Sequence, residues 1–260
     1  MIRKLSPLIF FCTLCALATP AWAQDTTEPV VEQTQTPAQP ATKQPGIRTF
    51  FRDLYDDVKH IPSKENAITA GIGGGLALGA HPFDDDVNRR LVGNTEAERF
   101  FKPGDVLGRA VTLYSVAGTI YIVGRVGGQP RTSHIGMDLI QSLLVSEGIT
   151  QLLKVSTHRE RPDHSSHNSF PSGHAADTFA FATALERHLQ WRYVVPAYIF
   201  AGYVAISRLP ANRHWLSDTV FGATVGVIAG RTVTRHGRAF PIVVSPMPGG
   251  GVFIGYTSPR

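Results

Sequence analysis

The chain has 260 residues, of which 43% are hydrophobic and 17% carry a charge. This length and composition are typical of one folded domain with additional tail sequence, and they exclude a wholly disordered chain, a collagen-like repeat and a coiled coil. The 25 basic and 20 acidic residues give a formal charge of +5 without long basic runs. We therefore expect no nucleic acid among the partners.

Residues 1–23 have the pattern of a secretory signal peptide. A short basic start precedes a mostly apolar run over residues 5–19, and Ala21-Trp22-Ala23 is a small-x-small cleavage pattern. An uncleaved membrane anchor is the alternative, although the run is short for a span. The 2 cysteines, Cys12 and Cys15, both lie in this leader, so the mature chain is predicted to have no disulfide and no thiolate chemistry. Export to a bacterial periplasm is the expected localisation.

Residues 24–46 are predicted to be a disordered linker, because Thr, Gln and Pro dominate and large apolar residues are almost absent. Residues 47–236 are predicted to form a helical domain, which begins with an amphipathic helix that ends near Pro62. The apolar segments that follow are too long for strands, so the predicted fold class is all-α, a compact helical bundle of about six helices. These segments cover residues 66–80, 105–124, 136–155, 173–189, 193–207 and 215–234.

Glycine and proline mark two further features. In the tail, residues 237–260, two β-rich runs flank prolines and glycines and predict a small β-hairpin. Elsewhere, glycine recurs at every fourth residue in two helical segments, which lines one helix face with glycine and lets another backbone approach closely. These glycines are Gly71, Gly75 and Gly79 in one segment and Gly222, Gly226 and Gly230 in the other.

Three blocks between residues 154 and 218 combine side chains that suit phosphate chemistry. A phosphate monoester carries close to two negative charges, and phosphoryl transfer needs groups that position it and stabilise its equatorial oxygens. Lys154, Arg161 and Arg208 are three such cations, and an arginine fork can hold two oxygens at once. The blocks are Lys154-x6-Arg161-Pro162, Pro171-Ser172-Gly173-His174 and Ser207-Arg208-x5-His214-x3-Asp218.

The second block is predicted to start a helix. Pro171 favours helix entry, and the backbone N–H groups at a helix start form an anion site. Ser172 can cap that helix or donate to a phosphate oxygen. Gly173 has no side chain to obstruct an oxyanion, and His174 falls in the first turn beside the expected phosphate.

The third block pairs an imidazole with a carboxylate. His214 and Asp218 are four residues apart, which places them on one face of a helix. A carboxylate in that position can accept the Nδ1 proton of the imidazole, so that Nε2 is the free, nucleophilic nitrogen. This is the arrangement of a nucleophile with its orienting group.

The order and internal spacing of the three blocks resemble those of the type 2 phosphatidic-acid phosphatase superfamily, which includes bacterial class A acid phosphatases and vanadium-dependent haloperoxidases. The resemblance implies that His214 attacks phosphorus in line and forms a phosphohistidine. It implies that Asp218 orients His214, and that His174 protonates the leaving oxygen and then activates water. It also implies that the phosphate is held by Lys154, Arg161, Ser172, Gly173 and Arg208.

The function implied is that of a metal-independent phosphatase, a phosphoric monoester hydrolase that acts on a lipid phosphate or a small soluble ester. No cofactor is expected, since three cations supply the charge that a magnesium ion would. A vanadium-dependent haloperoxidase and a non-catalytic phosphate- or lipid-binding envelope protein are the alternatives. A domain that is soluble or bound at the membrane surface is favoured over an integral bundle, and no oligomeric state follows from the sequence.

Two polar clusters are weaker candidates for metal sites. Asp84-Asp85-Asp86 is not followed by the rest of a calcium ligand set, so we interpret it as a solvated turn and helix cap. His158, His164 and His167 lie in one short stretch, which raises zinc as an alternative. Loop histidines near a phosphate site are the preferred interpretation.

Overall fold

The computed structural model describes residues 45–235 and two further strands, and within these residues it contains nine α-helices rather than about six. The predicted all-α fold class is confirmed. The predicted signal peptide, and the linker up to residue 44, lie outside the described residues. The helices are α1 (Ile47–His60), α2 (Lys64–Ala80), α3 (Asp84–Leu91), α4 (Thr95–Leu107), α5 (Ala110–Val126), α6 (Pro130–Thr157), α7 (Gly173–Glu186), α8 (Trp191–Ser207) and α9 (Leu216–Arg235).

The extra helices lie between residues 84 and 107. Helix α3 is short and polar, with three aspartates in its first turn and two arginines in its last, the charge order that a helix dipole favours. Asn94 caps the start of helix α4, and its side chain accepts a hydrogen bond from the N–H of Ala97 at 3.0 Å. The segment predicted as one helix over 105–124 is broken at Gly108, and α4 and α5 are bent by 48° relative to each other.

The two glycine runs behave differently. A Cβ added at Gly222, Gly226 or Gly230 of α9 would come closer than 3.0 Å to atoms of α7 or its N-cap residue, so the prediction of close approach is confirmed there. The run in α2 has nothing within 4 Å of any of its three glycines, so no described residue makes a close approach on that face. The close contact of α2 is made instead by Gly73, which packs against Thr224 of α9.

Two clusters of buried side chains hold the central helices together. One joins α5, α6 and α7 through residues that include Leu139, Leu143 and Ala184. The other joins α6, α7 and α9 through Val145, Ala180 and other residues. These contacts hold α6, α7 and α9 against one another, and the sequence motifs lie at or next to the ends of these helices and of α8.

Two short strands follow the helices. Ile242–Pro246 pairs antiparallel with Val252–Tyr256, and Val244 lies opposite Ile254. The residues that connect these strands lie outside the described part of the chain. The predicted hairpin as a whole therefore stays a prediction.

Several helices expose apolar side chains. Ile68, Ile72 and Leu76 lie four residues apart on α2 and are each more than half exposed. Trp191 and Ile199 form a similar exposed row on α8. None of the described helices is by itself long and apolar enough to cross a membrane, whereas α4 and α5 together meet that test as a bent pair.

Candidate active site

The structure brings the predicted site residues together where α6 and α8 end and where α7 and α9 begin. The side chain of His214 interacts electrostatically with both Lys154 and Arg208. His174 interacts with Arg208 and His214, and Lys154 interacts with Arg161. The complete set comprises Lys154 in α6, Arg161 in the following loop, Ser172 at the N-cap of α7, Gly173 and His174 in its first turn, Arg208 at the C-cap of α8, His214 just before α9, and Asp218 in its first turn.

Three buried donors in this site have no partner among the described residues. They are the hydroxyl of Ser172 and the Nε groups of Arg161 and Arg208. The Ser172 side chain makes no capping bond to α7, although it is fully buried. Buried donors without partners are rare because each costs free energy, so this arrangement favours an oxygen-rich ligand.

Gly173 lies beside these donors. The packing of the protein around it would also accommodate a residue with a side chain. An added Cβ would meet only Cγ2 of Thr150, at an ordinary contact distance of 3.8 Å. The glycine therefore leaves space on the side where we expect the ligand. The first N–H groups of a helix have no partner within the helix, so we expect those of α7 to add donors to this region, as in other anion sites at helix N-termini.

A cavity of about 800 Å³ opens next to Arg161 and Arg208. Its walls also include Phe101 and Lys102 of α4, and Arg213 in the loop before α9. This volume lies in the range of small-molecule sites. The cavity combines positive charge with an apolar wall, which suits an anionic group that is attached to an apolar body.

His214 is held in one tautomer. Its Nδ1 lies 2.7 Å from the carbonyl oxygen of Ser169. A carbonyl oxygen can only accept, so we assign the proton to Nδ1, which leaves a lone pair on Nε2. Burial lowers the pKa of the imidazole, and the charges of Lys154 and Arg208 lower it further against the opposing effect of Asp218. The ring is therefore neutral at physiological pH.

Asp218 does not accept the Nδ1 proton, and in this detail the sequence prediction is wrong. The distance from Nδ1 of His214 to Oδ2 of Asp218 is 3.8 Å. That oxygen accepts from the hydroxyl of Ser169 at 2.5 Å and from the N–H of Trp215 at 2.9 Å. The carboxylate thus orients the imidazole through Ser169, whose carbonyl is the actual acceptor.

His174 lies close enough to His214 for the two rings to interact electrostatically. Its Nε2 is 3.3 Å from the backbone carbonyl oxygen of Asp105. Burial, and then the charge of Arg208, lower the pKa of His174 to about 4 in the free protein, while Asp105 acts in the opposite direction. A phosphate dianion bound next to the ring would raise the pKa, because an opposite charge favours the protonated form.

Asp105 is a site residue that the sequence interpretation missed. Its carboxylate accepts from Arg208 and, at 2.8 Å, from Arg109. Gly104 and Gly108 flank it, and a Cβ added at either would come closer than 3.0 Å to a side chain of α8. The Gly-x3-Gly spacing around an acidic residue was the available signal, because it allows α4 to bring a carboxylate against the end of α8.

The sequence interpretation was also wrong about the surroundings of Asp84. Asp85 and Asp86 are exposed as expected for a solvated turn, but Asp84 is only 4% exposed. Burial would raise the pKa of Asp84, yet hydrogen bonds from Ser217 and Arg159 outweigh it and hold the pKa below its ordinary value. The interpretation of this residue as a solvated cap is therefore wrong. Ser217 and Arg159, which bind Asp84, lie far away in the sequence, so the local pattern could not show them.

The loop histidines form no metal site in the part of the chain that the structure describes. No group of three or more His, Cys, Asp or Glu residues there is arranged to hold a metal ion. His164 contacts the carboxylate of Glu160 at 3.0 Å, and His158 ends α6 in a left-handed conformation with φ of 46°.

A buried carboxylate one turn after His174 leads to a prediction for stability. Asp177 accepts from the hydroxyl of Ser146 at 2.9 Å, and burial, together with the charge of Glu147, raises its pKa to about 7. An acid whose pKa is raised on folding binds its proton more tightly in the folded state, so stability falls as pH rises towards that value. We therefore expect the wild type to lose on the order of 2–3 kcal/mol of unfolding free energy between pH 5 and pH 8, and Asp177→Asn to lose none of this amount. Chemical denaturation at both pH values measures this, and Asp85→Asn, which changes an exposed residue, should lose as much as the wild type.

Comparison with known proteins shows which family this region is similar to. Residues 135–240 match the family model of the PAP2 superfamily, the type 2 phosphatidic-acid phosphatases, and this stretch contains every site residue predicted from the three blocks. This part of the chain is therefore similar to the PAP2 superfamily. The resemblance predicted from the motifs is confirmed.

One curated relative and two solved structures are similar to the chain. A lipid A 1-phosphatase of Porphyromonas gingivalis is 43% identical over 88 residues, which are 32% of this chain and 19% of that protein, so the chain spans about a fifth of the relative's length. The crystal structure of LpxE from Aquifex aeolicus superposes with a TM-score of 0.50 and 20% identity, over 58% of this chain and 94% of that one. A transmembrane PAP2-type phosphatidylglycerolphosphate phosphatase from Bacillus subtilis gives 0.47 and 20%, over 72% and 92% of the two chains. The LpxE similarity is a similarity of fold.

Proposed function

We propose that the chain is a phosphatase that hydrolyses lipid phosphate monoesters through a phosphohistidine on His214. The observation that carries this proposal is the state of the imidazole. It is buried and neutral, Nδ1 is bonded to a carbonyl oxygen, and Nε2 has no hydrogen-bond partner among the described residues. A neutral imidazole with a free nitrogen amid three cations has the properties of a nucleophile for phosphorus.

The chemical steps follow from this placement. The lone pair on Nε2 of His214 attacks phosphorus as the bond from phosphorus to the ester oxygen breaks, and protonated His174 gives its proton to the leaving alcohol. Neutral His174 then takes a proton from a water molecule, and the oxygen of that water attacks the phosphohistidine. The bond from phosphorus to nitrogen breaks, inorganic phosphate is released and both histidines return to their starting states.

The unpartnered donors support the binding half of the proposal. Lys154, Arg161 and Arg208 would neutralise the phosphate oxygens, and the Ser172 hydroxyl would donate to one of them. Arg208 pairs with Asp105 in the free protein, so a phosphate would share this guanidinium with a carboxylate. Two negative groups on one arginine favour displacement of Asp105 towards its second partner, Arg109.

Exposed apolar side chains support a lipid as the substrate. Phe100 and Val106 on α4 are more than half exposed and lie on the helix that forms one wall of the cavity. Further exposed rows lie on α2 and α8, and extensive exposed apolar surface is typical of a membrane or lipid contact. The phosphate group would enter the cavity while acyl chains lie on these helices. The P. gingivalis relative is by its name a lipid A phosphatase, which agrees with this substrate class.

Hydrolysis by the purified full-length chain tests the proposal. The substrates are phosphatidic acid and lipid A in detergent micelles, compared with glycerol 3-phosphate and p-nitrophenyl phosphate in solution. We expect the release of inorganic phosphate from all esters that fit, with kcat/KM for a lipid at least about 10-fold above that for glycerol 3-phosphate because apolar contacts add binding free energy.

Other outcomes would overturn part or all of this proposal. Equal kcat/KM for lipids and glycerol 3-phosphate would contradict the lipid preference but not the phosphatase. Bromination that depends on peroxide and added vanadate, without ester hydrolysis, would identify a haloperoxidase. Binding of phosphate without hydrolysis of any ester would identify a non-catalytic binding protein.

A further inference from the structure

Arg159 connects two buried carboxylates behind the proposed nucleophile. It lies between the first two motif cations in the sequence, and its role is not that of a phosphate ligand. Its Nη1 donates to Oδ1 of Asp218 at 2.6 Å and to the hydroxyl of Ser217 at 2.7 Å. Its Nη2 donates to Oδ2 of Asp84 at 2.7 Å. The guanidinium of Arg159 thus binds side chains of the protein.

Asp84 completes this arrangement from the first turn of α3. Its Oδ1 accepts from the backbone N–H of Ser217 at 2.8 Å, and its Oδ2 accepts from the Ser217 hydroxyl at 2.7 Å. Nδ1 of His81 lies 2.8 Å from the same Oδ2. Asp84 therefore bonds to the residue that directly precedes Asp218, and it holds the arginine that binds Asp218.

These contacts reach the nucleophile through a continuous path. The first oxygen of Asp218 is bonded to Arg159, and its second oxygen is bonded to the hydroxyl of Ser169. The carbonyl oxygen of Ser169 accepts from Nδ1 of His214. A shift of the Asp218 carboxylate would therefore move the group that sets both the tautomer and the direction of the imidazole.

We propose that Asp84 and Arg159 are positioning residues that hold the Asp218 carboxylate, and through Ser169 the nucleophilic imidazole of His214, in the geometry for attack. This inference rests on the proposed phosphatase function. Asp84 lies outside residues 135–240, the region that matches the family model, so the N-terminal helices contribute to the site as well as to the fold. Neither residue lines the cavity beside Arg161 and Arg208, and both are bonded to groups of the protein, so we expect substrate affinity not to depend on them.

The main test compares Asp84→Asn with Asp85→Asn in the full-length chain. The two aspartates are adjacent, and only Asp84 is buried. Asp84→Asn keeps the side-chain shape but removes the charge that binds Arg159. We expect kcat to fall by about 100-fold, the usual effect of a misplacement of about 1 Å at a reacting group. We expect KM and the inhibition constant of inorganic phosphate to stay within about 3-fold, because the cations that bind phosphate are unchanged. Asp85→Asn should match the wild type in all three quantities.

A second measurement does not depend on turnover. The ¹⁵N signals of the histidine rings report which nitrogen carries the proton, and the signals of His214 are assigned by their loss in His214→Gln. We expect a single Nδ1–H tautomer for His214 in the wild type and in Asp85→Asn, and a mixture of tautomers in Asp84→Asn. A loss of thermal stability alone would not produce this change in a folded sample.

Two further variants cover the case in which Asp84→Asn fails to fold. Arg159→Lys keeps the positive charge but cannot bond Asp84 and Asp218 at once, and Ser217→Ala removes only the hydroxyl between them. Both should lower kcat by about 10-fold or more at constant KM. Wild-type kcat and an unchanged His214 tautomer in the folded variants would overturn this inference and leave the phosphatase intact. If the wild type hydrolyses no ester while the tautomer responds as expected, the phosphatase proposal fails instead.

Discussion

Replacement of His214 by alanine is expected to reduce hydrolysis of every phosphate ester by on the order of 10⁵-fold. In the proposed mechanism the bond to phosphorus is formed by Nε2 of His214, and alanine has no group that could form it. His214→Gln provides a second variant that fills most of the same volume. The measurement is the initial rate with p-nitrophenyl phosphate and with phosphatidic acid, together with acid-labile, base-stable ³²P label on the denatured protein after rapid quenching.

The control for this prediction is His60→Ala, since His60 is an exposed histidine at the end of α1. It should keep wild-type rates and wild-type labelling. His214→Gln should still bind inorganic phosphate, because Lys154, Arg161 and Arg208 are unchanged. Substantial activity in both His214 variants would refute the assignment of the nucleophile, and label on another residue type would identify a different one.

The parts of the site that the sequence predicts are those encoded at short range. Lys154, Arg161, His214 and Asp218 stand at fixed spacings within their blocks, and each spacing already limits how the side chains can meet. Asp84 and Asp105 have no such spacing to their partners. Asp84 binds an arginine 75 positions away, and Asp105 binds one 103 positions away. The aspartates at 84–86 give no local sign that one of them has a distant partner, and the only local sign at Asp105 is the glycine spacing around it.

The same distinction between local and distant information explains which parts of the fold can be predicted from the sequence. Long apolar segments predict helices because the 3.6-residue period is a local property. Helix α3 is short and dominated by charge, so it carried no such signal. Glycine spacing predicts that a helix face can be approached, but it does not say whether a partner is present. In α9 the partner is α7, whereas the equivalent face of α2 is open.

The Nδ1 contact of His214 shows how a correct pairing can still be wrong in detail. The four-residue spacing placed Asp218 near the imidazole, and Nδ1 of His214 lies 3.8 Å from Oδ2 of Asp218 in the structure. The carbonyl oxygen of Ser169, in the loop before α7, takes the hydrogen bond instead, and the hydroxyl of the same residue donates to Asp218. Ser169 belongs to none of the three blocks. A backbone acceptor supplied by a loop cannot be predicted from residue types.

The second large effect is expected for His174→Gln, and it should depend on the leaving group. An alkoxide such as that of a lipid leaves poorly without a proton, whereas p-nitrophenolate leaves readily. Loss of the acid should therefore lower kcat/KM by about 10²–10⁴-fold for phosphatidic acid, but by only about 10-fold or less for p-nitrophenyl phosphate. The quantity to compare is kcat/KM, since it reports the steps up to formation of the phosphohistidine.

The value of kcat should behave differently, because His174 is also proposed to activate the water that cleaves the phosphohistidine. With p-nitrophenyl phosphate, attack stays fast in His174→Gln while the second step slows, so ³²P-labelled protein should accumulate and nitrophenol should appear in a burst. His60→Ala again serves as the control, with neither accumulation nor a change in kcat/KM. Equal losses of kcat/KM for the two esters would show that His174 does not protonate the leaving oxygen. His174, which lies against Asp105 and Arg208, would then help to bind the phosphate group of the substrate. A residue that contacts only the bound phosphate affects all esters equally, whatever their leaving group.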